Sequence, residues 1–218
     1  MADPYNPTLA DFSFSAAETA AIALAMATAK PWDWKPADEA VAAAIKSAKK
    51  KIVEYHLARH KDNCCYCRTN LHGAGAFCTD REHVLPKSKE PYKPFVYTMW
   101  NLAASCKRCN LELKKTKDDF VVDRVNSAAF PDSANYLLIH PNFDRWQDHL
   151  GRTSEQSDDQ NMVRYVIKSP DKGQYTYHYF RLDRLELNTF DSGQGAEVVE
   201  PQTSAGEALL QLTEQFAQ

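Results

Sequence analysis

No apolar run in the 218-residue sequence is long enough to cross a bilayer. The longest, Ala20 to Ala27, covers eight residues, whereas a membrane helix needs about 20. A secretory leader is not expected either, because Met1-Ala2-Asp3-Pro4 carries an acid where a leader carries bases. There is no internal repeat, which excludes solenoids and propellers. An excess of charge of one sign is also lacking overall, with 26 Lys or Arg against 29 Asp or Glu and a net value of −3. These absences point to a cytoplasmic protein that does not engage membranes. In that compartment six cysteines favour metal binding over disulfides.

What is present suits a globular chain: 44% apolar residues and 11% aromatics. The length allows one domain, or a small core with extensions. Charge is unevenly placed. Between Lys46 and Lys117 there are 16 Lys or Arg against six Asp or Glu, a local balance of +10. A basic module inside an acidic protein is what phosphate binding requires locally. For Lys46, Lys49, Lys50 and Lys51 alone, a solvated helix face explains the charge as well.

The pattern predicts a helix from Ser15 to Lys30, capped by Ser13 or Ser15. Pro31-Trp32-Asp33-Trp34-Lys35-Pro36 breaks it. A second helix starts at Pro36 or Ala37 and runs to about His60, with Val41, Ile45, Ala48, Ile52 and Tyr55 as its apolar stripe. His56 and His60 lie one turn apart, but with no glutamate between them and no third ligand they read as surface histidines. Thr79 to Leu85 reads as a strand, Lys87 to Met99 as a loop and Asn110 to Lys117 as a helix. The Lys, Pro and Tyr of that loop suit either a nucleic-acid backbone or simple packing. Ser154 to Gln160 reads as a polar loop. Val163 to Ile167 and Tyr175 to Leu182 read as strands of a hairpin turning at Pro170-Asp171-Lys172-Gly173. Gly193 to Ser204 reads as a linker and Glu207 to Phe216 as an amphipathic helix. His140, Asp144 and His149 read as caps or satisfied core groups.

The chemistry concentrates in one stretch. Cys64-Cys65-Tyr66-Cys67 opens it and Cys106-Lys107-Arg108-Cys109-Asn110 closes it. Two C-x-x-C pairs supply four thiolates, Cys64, Cys67, Cys106 and Cys109, to one tetrahedral zinc. Such a site has no open position, so the zinc is structural. Cys65 and Cys78 are left outside it. The 38 residues between the pairs exceed the roughly 15–20 of a plain zinc ribbon. They contain Arg81-Glu82-His83-Val84-Leu85-Pro86-Lys87 and Trp100-Asn101-Leu102.

In order and spacing, these elements resemble the HNH endonucleases. The resemblance implies an α+β fold in three parts. Residues 1–62 form a helical buttress. Residues 63–120 form a zinc-stapled ββα-metal, treble-clef-like nuclease module, and 121–218 form a mixed α/β extension that is a candidate partner-docking region. It implies metal-dependent hydrolysis of phosphodiesters, with DNA favoured and RNA possible. His83 is then the general base, and Asn101 orients the loop that carries it. Glu82 and Asn110 hold a catalytic Mg²⁺ or Mn²⁺, a hard ion suited to oxygen ligands. Lys87, Lys107, Arg108, Lys114 and Lys115 are candidates for phosphate contacts. An Asn at the third signature position, Asn110, is a common variant.

Glu82–Ser88, Asn101–Lys114 and His140-Pro141-Asn142-Phe143-Asp144 are further similar to the HNH component of Septu-type and retron-linked anti-phage systems. This implies an SMC- or ABC-like ATPase partner. Two other readings stay open: a non-catalytic zinc module that binds nucleic acid or protein, and a stand-alone restriction-type nuclease. No recognition helix or base-reading set is visible, which implies low intrinsic sequence specificity.

Overall fold

Ser15 and Asp38 cap the first two helices. The computed structural model describes residues 3–157 and 160–189. Helix α1 (Ala16–Met26) begins where Ser15 Oγ accepts the Glu18 N–H at 3.2 Å and Glu18 accepts the Ser15 N–H at 2.8 Å. Glu18 also accepts a hydrogen bond from Ser47 at 2.8 Å, tying α1 to α2 (Glu39–Arg59). Asp38 caps α2 by accepting the Val41 N–H at 2.9 Å. Ile45 and Ile52 of the expected stripe pack with Ala21, Ala25, Trp32, Val96 and Leu102. Each buried isoleucine contributes about 1.5–3 kcal/mol.

His56 and His60 are not on the surface: both are buried. The first residues fold back over the end of α2 and cover them. Arg59 pairs with Asp3 at 3.0 Å and donates to the Pro7 carbonyl at 2.6 Å, and the Tyr5 ring meets His60 edge-on at 4.6 Å.

A one-turn helix α3 (Gly75–Cys78) leads into β1 (Thr79–His83). This strand pairs antiparallel with β2 (Leu102–Cys106), with Thr79 opposite Cys106 and His83 opposite Leu102. The connection between them is packed down: it makes 3-10 turns over Glu90–Phe95 and buries Tyr92, Val96 and Tyr97. Beyond β2 the sequence pattern predicts an α-helix over 110–117. The segment is instead π-helical and shorter, Arg108–Lys114, closed by the Lys115 N–H on the Asn110 carbonyl at 2.7 Å. The reason lies in Cys109 and Lys114, which are both buried and five residues apart. In an α-helix they would point about 140° apart; the wider turn nearly aligns them.

The second half corrects two expectations. Within the span expected as a loop, Ser154–Ser157 belongs to β3 (Leu150–Ser157) and Gln160 opens β4 (Gln160–Ile167), with which β3 pairs; β5 (Leu187–Asn188) adds to the same sheet. Cross-strand backbone bonds do not need apolar side chains, so Ser, Glu and Gln concealed the strand. Tyr175–Leu182 is not a strand. Lys172–Tyr179 forms helix α5, preceded by a single turn α4 (Trp146–His149) before β3. Tyr and Thr favour strands only as a weak prior. Here the buried Thr176 hydroxyl accepts the Ile139 N–H at 2.8 Å, and Tyr175 stacks on Tyr179 one turn away at 5.7 Å. Gly173 permits the docking, since a Cβ there would lie 2.3 Å from the His149 carbonyl oxygen.

The architecture is therefore α+β, with one two-stranded and one three-stranded sheet. A single apolar cluster runs from the cysteine knuckles to α5, and Tyr66 stacks on Phe180 at 4.2 Å. No described helix is long and apolar enough to cross a membrane. The expected linker over 193–204 and helix over 207–216 lie outside the described residues.

Candidate metal centre and adjoining cavity

Each cysteine pair is bent by its own backbone. In the first knuckle Arg68, at φ 57°, returns its N–H to the Cys64 carbonyl at 3.0 Å. The second pair spans the end of β2 and the start of the π-helix. Cys64, Cys67, Cys106 and Cys109 converge with their sulfurs all within 4.8 Å of one another. Cys67 and Cys106 Sγ are 3.8 Å apart. A tetrahedral zinc at about 2.3 Å from each sulfur separates neighbouring sulfurs by about 3.8 Å. The four cysteines are thus positioned to bind a metal ion, consistent with structural zinc. Cys65 is buried beside them, its N–H given to Ala104 at 3.0 Å, and stands outside the set, as does exposed Cys78.

Behind this centre, β1 and the π-helix frame a cavity of about 410 Å³ whose walls include Asp80, Arg81, His83, Lys87, Asn110 and Lys115. His83 is 7% exposed. Its Nε2 lies 3.0 Å from the Val96 carbonyl oxygen. That oxygen can only accept, so Nε2 carries the proton and Nδ1 keeps the lone pair. Trp32, from the break between α1 and α2, braces the ring edge-on at 4.4 Å. Burial holds the imidazole pKa down to about 3, so the ring is neutral at pH 7.

Asn101 is wholly buried. Its Oδ1 accepts the Leu85 N–H at 2.7 Å, and its Nδ2 donates to the Phe95 carbonyl at 3.1 Å. One side chain thus joins the chain just after His83 to the chain just before Val96, which together fix the imidazole. Asn110 lines the cavity, and its Nδ2 donates to Asp80 Oδ2 at 2.9 Å.

Glu82 does not join them. Strand alternation turns it away from His83, and it is wholly buried. Its Oε1 lies 2.8 Å from Lys114 Nζ and 3.0 Å from the Tyr66 hydroxyl. Burial raises its pKa, against the opposing pull of Lys114. The expectation that Lys114 meets phosphate is corrected for the same reason. It is 1% exposed and also donates to the His83 carbonyl at 2.8 Å, so it holds the strand from inside. Arg108 is likewise occupied, donating to the Phe180 and Arg181 carbonyls at 3.0 and 2.9 Å. Lys87 lies at the cavity but pairs with Asp33 at 2.7 Å, whereas Lys115 is exposed on its wall. Lys107 is exposed and extends over Phe77 at 5.5 Å.

Sequence reasoning missed three contributors. Asp80 was not readable through alternation, which puts a residue three before His83 on the opposite face; it meets the cavity near the start of β1, where Asn110 donates to it. Trp32 and Val96 carried no local signal, because their contacts with His83 span the chain. Asp144 satisfies the core as expected, accepting the His140 backbone N–H at 2.7 Å and pairing with Lys172 at 2.6 Å, whereas the buried His140 Nε2 has no hydrogen-bond partner. No protein-family model, curated protein or solved structure matches the chain.

Proposed function

We propose that the chain is a metal-dependent endonuclease that hydrolyses phosphodiester bonds, with DNA as the favoured substrate. The observation that carries this reading is His83: a neutral imidazole fixed at Nε2 by a backbone carbonyl, lining the same cavity as Asp80 and Asn110. The strand–strand–helix order around the cysteine centre suits the ββα-metal unit of HNH enzymes, and the motifs Glu82–His83, Asn101 and Asn110 fit the same family.

In this reading His83 Nδ1 takes the proton from the attacking water, since burial keeps the ring neutral with a lone pair at Nδ1. Asn101 holds the two backbone segments that orient the ring. Asp80 and Asn110 present a carboxylate and an amide to the cavity, an oxygen donor set suited to Mg²⁺ or Mn²⁺. Such an ion, when bound, relieves charge on the scissile phosphate and the leaving oxygen. Glu82, the expected ligand, instead fixes Lys114, which in turn holds the His83 backbone. Lys115 and Arg81 on the rim suit a phosphate backbone. The cysteine zinc staples the ends of the hairpin and takes no part in chemistry.

The test is cleavage of plasmid DNA and of total RNA with Mg²⁺, Mn²⁺ or EDTA, with His83→Ala alongside. Metal-dependent cutting that falls at least about 100-fold in the variant is expected. The further proposal is that an SMC- or ABC-like ATPase restrains or triggers the nuclease in anti-phage defence, so the assay is repeated with the co-expressed neighbouring ATPase. Silence in both formats, with zinc bound and the fold intact, would leave the binding-module reading in its place.

A further inference from the structure

A second cavity, of about 710 Å³, shares no lining residue with the His83 site. It lies between the first residues, the end of α2, the first cysteine knuckle and the start of β3. Its polar groups are unbalanced in one direction. Arg68 is 8% exposed and has no carboxylate partner among the described residues. Its guanidinium contacts His60 Nδ1 at 3.2 Å and the Tyr5 hydroxyl at 3.0 Å, and its buried Nε has no hydrogen-bond partner. An arginine only donates, so His60 Nδ1 accepts and Nε2 carries the proton. That buried Nε2 is also without a partner. Arg59, whose charge is met by Asp3, contributes a third buried unmatched donor at Nε. Among the described residues lining the cavity, no buried side-chain acceptor is unmatched.

Buried donors without acceptors, around a guanidinium without a counterion, are costly arrangements. A ligand that only accepts and carries negative charge relieves both. Lys61 and Lys168 are exposed at the rim with no carboxylate partner among the described residues. Arg145, also on the wall, meets Asp148 only at 3.9 Å. The Trp146 ring, 5.3 Å from the Arg68 guanidinium, adds an aromatic wall. The volume falls within the roughly 300–1,000 Å³ of small-molecule sites.

We propose that this cavity binds a phosphate monoester of nucleotide size, with Arg68 and His60 donating to the phosphate and Trp146 lining the base or sugar. Planar bidentate donation suits arginine to phosphate. The assignment does not depend on the nuclease reading, since the two cavities have separate walls.

The test is thermal unfolding and calorimetric titration of the full zinc-loaded chain with AMP, adenosine, inorganic phosphate and a 5′-phosphorylated tetranucleotide. AMP is expected to stabilise saturably, phosphate weakly and adenosine not at all. Arg68→Met is expected to abolish the AMP effect. Should that variant fail to fold, Lys168→Ala keeps the test alive: it should fold normally and weaken AMP roughly two- to fivefold. The proposal is overturned if AMP has no effect at millimolar concentration, if Arg68→Met binds AMP unchanged, or if Lys168→Ala leaves AMP affinity unaltered. Binding confined to the tetranucleotide would also overturn it, by placing the phosphate on a nucleic-acid end.

Discussion

Replacing Lys114 with Met probes the interior of the hairpin directly. Lys114 Nζ is 2.8 Å from Glu82 Oε1, with the two side chains 1% and 0% exposed. In the variant the Glu82 carboxylate keeps only the Tyr66 hydroxyl at 3.0 Å, because its Oε2 already lacks a partner. Removing one member of a buried pair costs about 3–5 kcal/mol, since the other charge is left unmet. Against a total stability of about 5–15 kcal/mol, that is a large share. At roughly 2–4 °C per kcal/mol for a chain of this size, the melting temperature should fall by about 6–20 °C. The double variant Lys114→Met/Glu82→Gln removes both charges and keeps an acceptor for Tyr66. It should recover at least half of the loss, which gives a coupling energy of about 2 kcal/mol or more. Urea unfolding of the four zinc-loaded proteins at pH 7.5 measures the cycle. Additive losses, or a Lys114→Met protein within about 1 kcal/mol of the parent, would refute the sealed ion pair.

Three more expectations concern the metals and the histidines. Mn²⁺ titration should separate two carboxylates: Asp80→Asn should weaken Mn²⁺ at least about tenfold, while Glu82→Gln should act mainly on stability; the reverse pattern would restore Glu82 as the ligand. Elemental analysis should find one zinc per chain. Cys109→Ser should lose it and unfold, because structural zinc contributes an apparent 10–16 kcal/mol or so, comparable with the whole stability; a folded, zinc-free variant would contradict this. Stability should also fall with acid. Burial holds His56 and His83 at about 3, against 6.5 for a free imidazole. Between those values the unfolded chain binds more protons, so their contribution is intact above about pH 6.5 and is lost as pH falls towards 3. At pH 5 each histidine costs about 2 kcal/mol, and urea midpoints at pH 8 and pH 5, with zinc retained, should show a smaller drop in His56→Gln than in the parent; equal drops would sink the account.

How much was legible from the sequence depended on the range of the interaction. The cysteine centre was readable because a C-x-x-C pair is a local bend, and two local bends need only meet once. Ser15 announced its helix for the same reason: a cap is complete within four residues. His83 and Asn101 could be singled out from motif spacing, but the atoms that tune them could not. Trp32 lies 51 residues before His83, and Val96 reaches it only because Asn101 folds the intervening strap back.

Glu82 shows where pattern reading fails. Its place beside His83 in sequence suggests a shared task, yet adjacent strand residues point to opposite faces. Asp80 shares that opposite-face parity but stands nearer the open end of β1, so it reaches the cavity rim beside Asn110. Lys114 settled the rest: by entering the core through a π-helical turn, it supplies the cation that lets Glu82 remain buried. The α5 segment failed for a related reason. Tyr175, Thr176 and Tyr179 have the composition of a strand, but β4 already had its partners in β3 and β5. The chain here instead satisfies its backbone as a helix and spends its aromatic rings on stacking and on the cover over Tyr66.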